Sequence, residues 1–395
     1  MRKLIYLDNA ATTYKKPKSV YRAMSERYGN PGRGGHFISI QSGEKVFECR
    51  ERLTSFFGAT DPSQIVLTNN TTTALNIAIK GLLKPIDHVI ISGMEHNSVS
   101  RPVFDYVSKQ SKGSANAGHS DLTPTTTDNI SIARPDKFGC VTLKSIKKLV
   151  RPNTRLIAVT HASNICGTIN PIRDIGKFAR DNNILFLVDA AQTAGVLPID
   201  VINDNIDFLA FAGHKSLLGP LGTGGLYVRD ASQLSPIIVG GTGSLSESLE
   251  QPDLMPDKLE SGTLNVAGIS GLLEGIKFIE KVTLDKIHKH EQELTSLLFE
   301  ELRNIENLTL YGPINNSARV GIVSFNITDR DCVNVCSILN EKYHIATRGG
   351  LHCAALAHES MGTLTRGNVR LSVSFFTTKH DVKKAVEAIY KIASS

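Results

Sequence analysis

The chain has 395 residues, of which 41% are hydrophobic and 21% charged, with a formal net charge of +6. That composition fits a globular protein long enough for two cores, since domains commonly hold about 100 to 200 residues. No apolar run approaches the roughly 20 residues needed to cross a bilayer, and the scattered Lys and Arg indicate no nucleic-acid surface.

The start, Met1-Arg2-Lys3-Leu4-Ile5-Tyr6-Leu7-Asp8, meets an acid before any long apolar stretch. It does not read as a signal peptide, and a cytoplasmic location is the expectation. From Gln64 to Val228 short apolar runs alternate with amphipathic stretches. The runs 65–67, 88–91, 155–159, 184–188 and 208–211 read as buried strands. The stretches 74–83 and 171–181 between them have the length of crossover helices. This predicts a largely parallel sheet with helices on both faces. The polar stretch from Ser108 to Asp128, which includes His119, reads as a surface loop. From Val266 onward the pattern changes to long helices at 267–282 and 284–305, strands at 320–325 and 369–373, and a last helix at 379–393. A smaller α+β domain follows from that change.

Six cysteines, Cys49, Cys140, Cys166, Cys332, Cys336 and Cys353, form no CxxC pair. Reduced thiols are expected and no metal site is. Cys332 and Cys336 share a helix face and read as core residues.

Chemistry concentrates after the predicted strands. Lys215, in Gly213-His214-Lys215, follows the run 206–211 and precedes the glycine-rich stretch 219–225. A lysine desolvated at a strand end loses affinity for its proton, and its neutral amine suits imine formation with an aldehyde; the same position also admits a solvated surface lysine. Asp189 ends the run 184–188, where a carboxylate either caps the next helix or pairs with a cation. Together they match what pyridoxal phosphate requires, an imine lysine and an acid for the ring nitrogen. Thr71, Thr72, His96, Asn164, Asp189 and Lys215 each follow a predicted strand, and ligands of such sheets collect outside the carboxyl ends of the strands.

Eight landmarks occur in order: Tyr6–Thr13, Thr71–Asn76, Glu95–Ser98, His161–Asn164, Val188–Gln192, Gly213–Lys215, Glu260–Thr263 and Arg348–Cys353. In these the chain resembles the class V aminotransferase-like pyridoxal phosphate enzymes, and within them the type II-like cysteine desulfurase and selenocysteine lyase group. The resemblance implies an α/β protein of pyridoxal phosphate fold type I. Its large domain would span 16–262 around a mostly parallel sheet, and its small α+β domain 1–15 and 263–395. It implies that Lys215 holds the cofactor and moves the substrate's Cα proton, that Asp189 pairs with the ring nitrogen, that Gln192 donates to the ring hydroxyl and that His96 stacks on the ring. Asn164 would lie near the ring hydroxyl and substrate. Thr71, Thr72 and His214 would hold the phosphate, with Thr263 reaching in from the second subunit of a homodimer; Thr71 and Thr72 equally fit plain helix capping. Arg370 would grip the substrate carboxylate, with Arg348, Arg33 and His36 nearby. Ala212 departs from the pattern, because relatives place a Ser or Thr hydroxyl there.

Cys353 would be the second reactive centre, its thiol made more acidic by Arg348 and His352. The implied reaction takes L-cysteine to L-alanine with a persulfide on Cys353 for a protein acceptor. L-selenocysteine as substrate, other class V chemistry (transamination or β-elimination) and a non-catalytic sulfur-relay scaffold are the alternatives.

Overall fold

The computed structural model describes residues 4–31, 35–111 and 129–395. Arg33, His119 and most of the expected polar loop lie outside the described residues. In chain order the elements of the first part are β1 (Ile5–Tyr6), α1 (Lys18–Met24), α2 (Phe37–Phe56), β2 (Ile65–Thr68), α3 (Thr71–Leu82), β3 (His88–Ser92), α4 (Asn97–Ser111), β4 (Ile130–Ala133), α5 (Leu143–Lys147), β5 (Thr154–Thr160), α6 (Ile172–Asp181), β6 (Leu185–Asp189), β7 (Phe208–Ala212) and β8 (Gly224–Val228). Helix α4 continues to Ser111, past the Ser108 at which a loop was expected.

Seven strands form one sheet in the order β2-β8-β7-β6-β5-β3-β4. The strands β4, β3, β5, β6 and β7 pair in parallel, whereas β8 runs antiparallel to β7 and to β2. Two reversals bring β2 back to the direction of β7, so six of the seven carboxyl ends lie at one edge. Alternate residues of each strand enter opposite cores: Ile65, Leu67, Ile90, Ile157 and Val159 face the core shared with α2 and α6, while Val66, Val89, Ile91, Leu156 and Ala158 face the one shared with α3 and α4. Burial on both faces explains why these strands read as continuous apolar runs.

The remaining elements are α7 (Val266–Val282), α8 (Leu284–Leu302), β9 (Leu308–Tyr311), β10 (Ile322–Ile327), α9 (Cys332–Tyr343), β11 (Ile345–Ala346), β12 (Arg348–Gly350), α10 (Ala355–Ser360), β13 (Asn368–Ser372) and α11 (Lys379–Ala393). Strands β12-β13-β10-β9 form an antiparallel sheet. Residues from α8, α9 and α11 close its core. Strand β1 pairs in parallel with β11, which ties the start of the chain to this smaller unit. Helix α7 packs on α1 and α2, and its Leu272, Leu273 and Ile276 enter the core of the large sheet.

Candidate active site

A cavity of about 210 Å3 opens at the carboxyl edge of the large sheet, well above the roughly 10–15 Å3 that one water needs. Its wall contains Thr71, Thr72, His96, Asn164, Asp189, Gln192, His214, Lys215, Arg348, Cys353 and Arg370. Eleven residues singled out from separate stretches of the sequence therefore share one site.

Asp189 ends β6 and is buried, with its Oδ1 accepting from the Ala191 N–H at 2.9 Å. Burial pushes its carboxyl up, opposed by Lys215. Burial likewise pushes the Lys215 ammonium down to about 8, with Asp189 acting the other way. A lysine so shifted has a usable neutral fraction near neutral pH. The His96 ring is fixed by Ser98, whose N–H donates to Nδ1 at 3.1 Å and whose hydroxyl lies 2.7 Å from the same nitrogen. Burial and the surrounding cations push it down to about 4, so it is neutral and carries its proton on Nε2. The Gln192 amide donates to the Ala10 carbonyl at 3.1 Å.

Helix α3 begins beside the cavity. Asn70 caps it by accepting from the Thr73 N–H at 2.9 Å, and the first helical bond is Ala74 N–H to Asn70 O at 3.3 Å. The amides of Thr71 and Thr72 precede that bond, an arrangement that suits a phosphate. His214 adds a ring kept neutral at about 4 by burial, with its buried Nδ1 unpartnered among the described residues. Ala212 is buried in β7 opposite Gly224 and offers no hydroxyl.

Two arginines face each other across β12 and β13, where Arg348 is the register partner of Arg370. Arg370 is buried; its Nη2 donates to Asp8 Oδ1 at 3.0 Å and its Nη1 to the Asn164 carbonyl at 2.8 Å, while Nε has no partner among the described residues. Two cations against the one carboxylate of Asp8 leave a net positive charge for an incoming carboxylate.

Cys353 is exposed and, like His352, adopts a left-handed backbone, with φ of 56° and 48°. The loop is held by Asn97 N–H to Cys353 O at 2.7 Å and Asn164 Nδ2 to His352 O at 2.9 Å. His352 itself is buried, donates from Nε2 toward the Asn368 carbonyl at 3.1 Å, and is pushed down to about 3 by burial and Arg370. It is neutral and gives the thiol no positive charge, which corrects the expectation placed on it; Arg370, which interacts electrostatically with Cys353, and Arg348 are the guanidinium cations on that wall.

Thr263 and His36 lie away from this cavity. Thr263 lines a surface groove with Gly43, Phe47 and Gly241–Gly243. His36 caps α2 by accepting from the Ser39 N–H at 3.2 Å. Sequence reasoning missed Asp8 as the partner of Arg370, although it stands inside the Tyr6–Thr13 landmark, and Ser98 as the residue that fixes His96.

The cavity fits pyridoxal phosphate on its own terms, with a half-desolvated lysine, a buried carboxylate, a helix amino end and an unpartnered guanidinium nitrogen. Fold and site together define a pyridoxal phosphate enzyme of fold type I. The chain belongs to the aminotransferase class-V family, whose sequence profile matches residues 5–385. A probable cysteine desulfurase of Methanothermobacter thermautotrophicus is 35% identical, covering 100% of this chain and 96% of its own. A cysteine desulfurase of Haloferax volcanii is 30% identical, covering 98% of this chain and 88% of its own. Among solved structures, the apo cysteine desulfurase of Thermococcus onnurineus superposes with a TM-score of 0.89 at 32% identity, over 99% of this chain and 95% of the other.

Proposed function

We propose that this chain is a pyridoxal phosphate-dependent cysteine desulfurase that converts L-cysteine to L-alanine and carries the sulfur as a persulfide on Cys353. The observation that carries this reading is the exposed Cys353 on the same cavity wall as Lys215, Asp189 and Arg370. The relatives that span the whole chain bear the same activity in their names.

When bound, the cofactor supplies an electron sink conjugated to the substrate's Cα. Lys215 would hold it, Asp189 would pair with its ring nitrogen, and Thr71, Thr72 and His214 would hold its phosphate. Arg370 and Arg348 bind the substrate carboxylate, and the Asp8 and Asn164 contacts keep the Arg370 fork from turning. Lys215, as the neutral amine, takes the Cα proton. The Cys353 thiolate then bonds to the substrate sulfur as the sulfur–carbon bond breaks; the electron pair of that bond stays with the carbon, which takes up a proton on the way to alanine. The Nε2–H of neutral His96 is one protein proton on the wall of that cavity. Exposure of Cys353 supports onward transfer of the sulfur to an acceptor protein.

The chain is further read as a homodimer in the cytoplasm, divided into a large domain at 16–262 and a small one at 1–15 and 263–395, with α7, inside the second set of bounds, packed into the core of the large sheet. Support for the dimer comes from the exposed apolar residues Phe37, Ile40 and Phe47 on α2 beside the groove that contains Thr263. Six free cysteines support a reducing compartment.

The test is sulfide and alanine release from L-cysteine under reductant, with the visible absorbance of the bound cofactor recorded for wild type and Cys353→Ser. Wild type should release both and the variant lose sulfide release by a factor of about 100 or more, with unchanged absorbance. Sulfide release by the variant at the wild-type rate would remove Cys353 from the mechanism, and a colourless wild type would remove the cofactor.

A further inference from the structure

Four donors from one short segment converge on two backbone carbonyls of the lysine turn. The His214 carbonyl accepts from the Thr13 N–H at 3.2 Å, the Thr12 hydroxyl at 3.1 Å and the Lys16 ammonium at 3.2 Å. The Lys215 carbonyl accepts from the Thr13 hydroxyl at 2.9 Å and from the Leu218 N–H at 2.9 Å. A carbonyl oxygen has two lone pairs, so three donors on His214 form an unusually dense positive clamp.

Lys16 is the charged member. It is half-buried, has no carboxylate partner among the described residues, and burial pushes it down to about 8. A partly desolvated ammonium without a counter-ion is costly, and its one acceptor here is the carbonyl that precedes Lys215. None of Thr12, Thr13 and Lys16 lines the cavity. Their effect on the site therefore passes through the turn. The same segment reaches the substrate side of the cavity, since Asp8 holds Arg370 and the Ala10 carbonyl accepts from Gln192.

We infer that Lys16 is a positioning residue for Lys215: from outside the cavity it anchors the His214 carbonyl and, while protonated, sets a positive charge behind the lysine turn. The inference rests on the reading of Lys215 as the cofactor's lysine. The charged and titratable groups facing Lys215 are Asp189 from β6, Arg348 from β12, Arg370 from β13, Asp8 from the segment after β1, and His96 at the start of α4. His214, within the turn, faces both Lys215 and Lys16. All of these remain in a Lys16 variant.

The experiment follows the visible absorbance of the cofactor-loaded protein against pH for wild type, Lys16→Met, Lys16→Arg and Thr12→Val. Losing a like charge favours the protonated form, so the Lys16→Met midpoint should rise by about half a pH unit or more. Lys16→Arg, which keeps a donor and a charge that does not titrate, should show a midpoint at or slightly below that of wild type. Thr12→Val should lower kcat without moving the midpoint, and in Lys16→Met kcat should fall while KM for L-cysteine stays near wild type, because the Arg370 fork is untouched. Lys16→Gln replaces Lys16→Met if the latter does not fold. An unmoved midpoint in the charge-removing variant, or an equal shift in Lys16→Arg, would overturn the inference. Absence of a visible band in wild type would instead defeat the functional reading beneath it.

Discussion

Arg370 is the side chain whose surroundings do most to set what the cavity accepts. It is buried, and Asp8 supplies the carboxylate within ion-pair distance of it. Removing one partner of a buried pair leaves the other charge uncompensated, at a cost of about 2–5 kcal/mol. That cost should appear as lost stability of the apoprotein; because Asp8 also keeps the Arg370 fork from turning, Asp8→Ala is expected to raise KM for L-cysteine about tenfold, which corresponds to about 1.4 kcal/mol. The cofactor should stay bound, because Asp189 and Lys215 keep their own contacts, while the pH midpoint of its absorbance should fall, since Asp8 is one of the negative charges facing Lys215. Steady-state kinetics with a parallel absorbance spectrum check this, and an unchanged KM would show that Asp8 does not orient the fork. The sequence carried this pair only in part. Arg370 stood in a strand pattern that resembles a substrate arginine, but nothing in Tyr6–Thr13 pointed to Asp8 as its partner. The contact joins residues 362 apart in the chain, and no local pattern encodes such a pairing.

Elements that fill the interior were legible, and elements completed by glycine or by an outer face were not. Strands β3, β5, β6 and β7 read directly, because burial on both faces leaves continuous apolar runs. Strand β8 begins with Gly224 and Gly225, and its glycines masked it as a turn. Glycine is required there, since a Cβ on Gly225 would meet the Phe211 ring at 2.2 Å and one on Gly224 the Asn70 backbone at 2.8 Å. Helix α2 escaped for the opposite reason. Its outward side mixes Phe37, Ile40 and Phe47, exposed by 71%, 51% and 54%, with exposed Gln41, Glu44 and Glu51, while Val46, Cys49 and Leu53 are buried together with Arg50. Apolar residues outside and an arginine inside blur the amphipathic stripe. Phe37, Ile40 and Phe47 share one helix face, and on the dimer reading a second copy covers it. Phe47→Glu would then bury a carboxylate in that interface and should halve the mass measured by sedimentation equilibrium at micromolar concentration. A variant that keeps the wild-type mass would move the interface off α2.

At the scale of the whole molecule, buried titratable groups oppose one another across pH. Burial holds His88, His96, His161, His214, His352 and His358 down at about 3 to 4 in the folded apoprotein. An unfolded histidine takes up its proton near pH 6.5. Between pH 6.5 and about 4 the unfolded chain thus binds more protons, and stability falls as the pH falls. Two buried carboxyls act in the other direction. Glu95 and Glu291 are pushed up to about 8 by burial, so from their unfolded values near 4.3 up to pH 8 the folded chain holds protons that the unfolded chain has lost, and stability falls as the pH rises. Below pH 6.5 six histidines outweigh two glutamates; from there to about pH 8 the carboxyls dominate, while Lys16 and Lys215, held down at about 8, oppose them as they begin to lose protons. The thermal midpoint of the apoprotein should therefore peak near pH 6.5 and decline toward pH 8. Glu291 is the cleaner probe, since it lies on α8 away from the cavity, with its Oε2 close to Gly321. Glu291→Gln keeps the shape of the protonated acid and removes its titration. Differential scanning calorimetry should show a shallower decline from pH 6.5 to 8 in this variant and an unaltered slope below pH 6. A decline as steep as that of wild type would assign the alkaline limb to other groups, with Glu95 and Asp189 beneath the cavity the next to test.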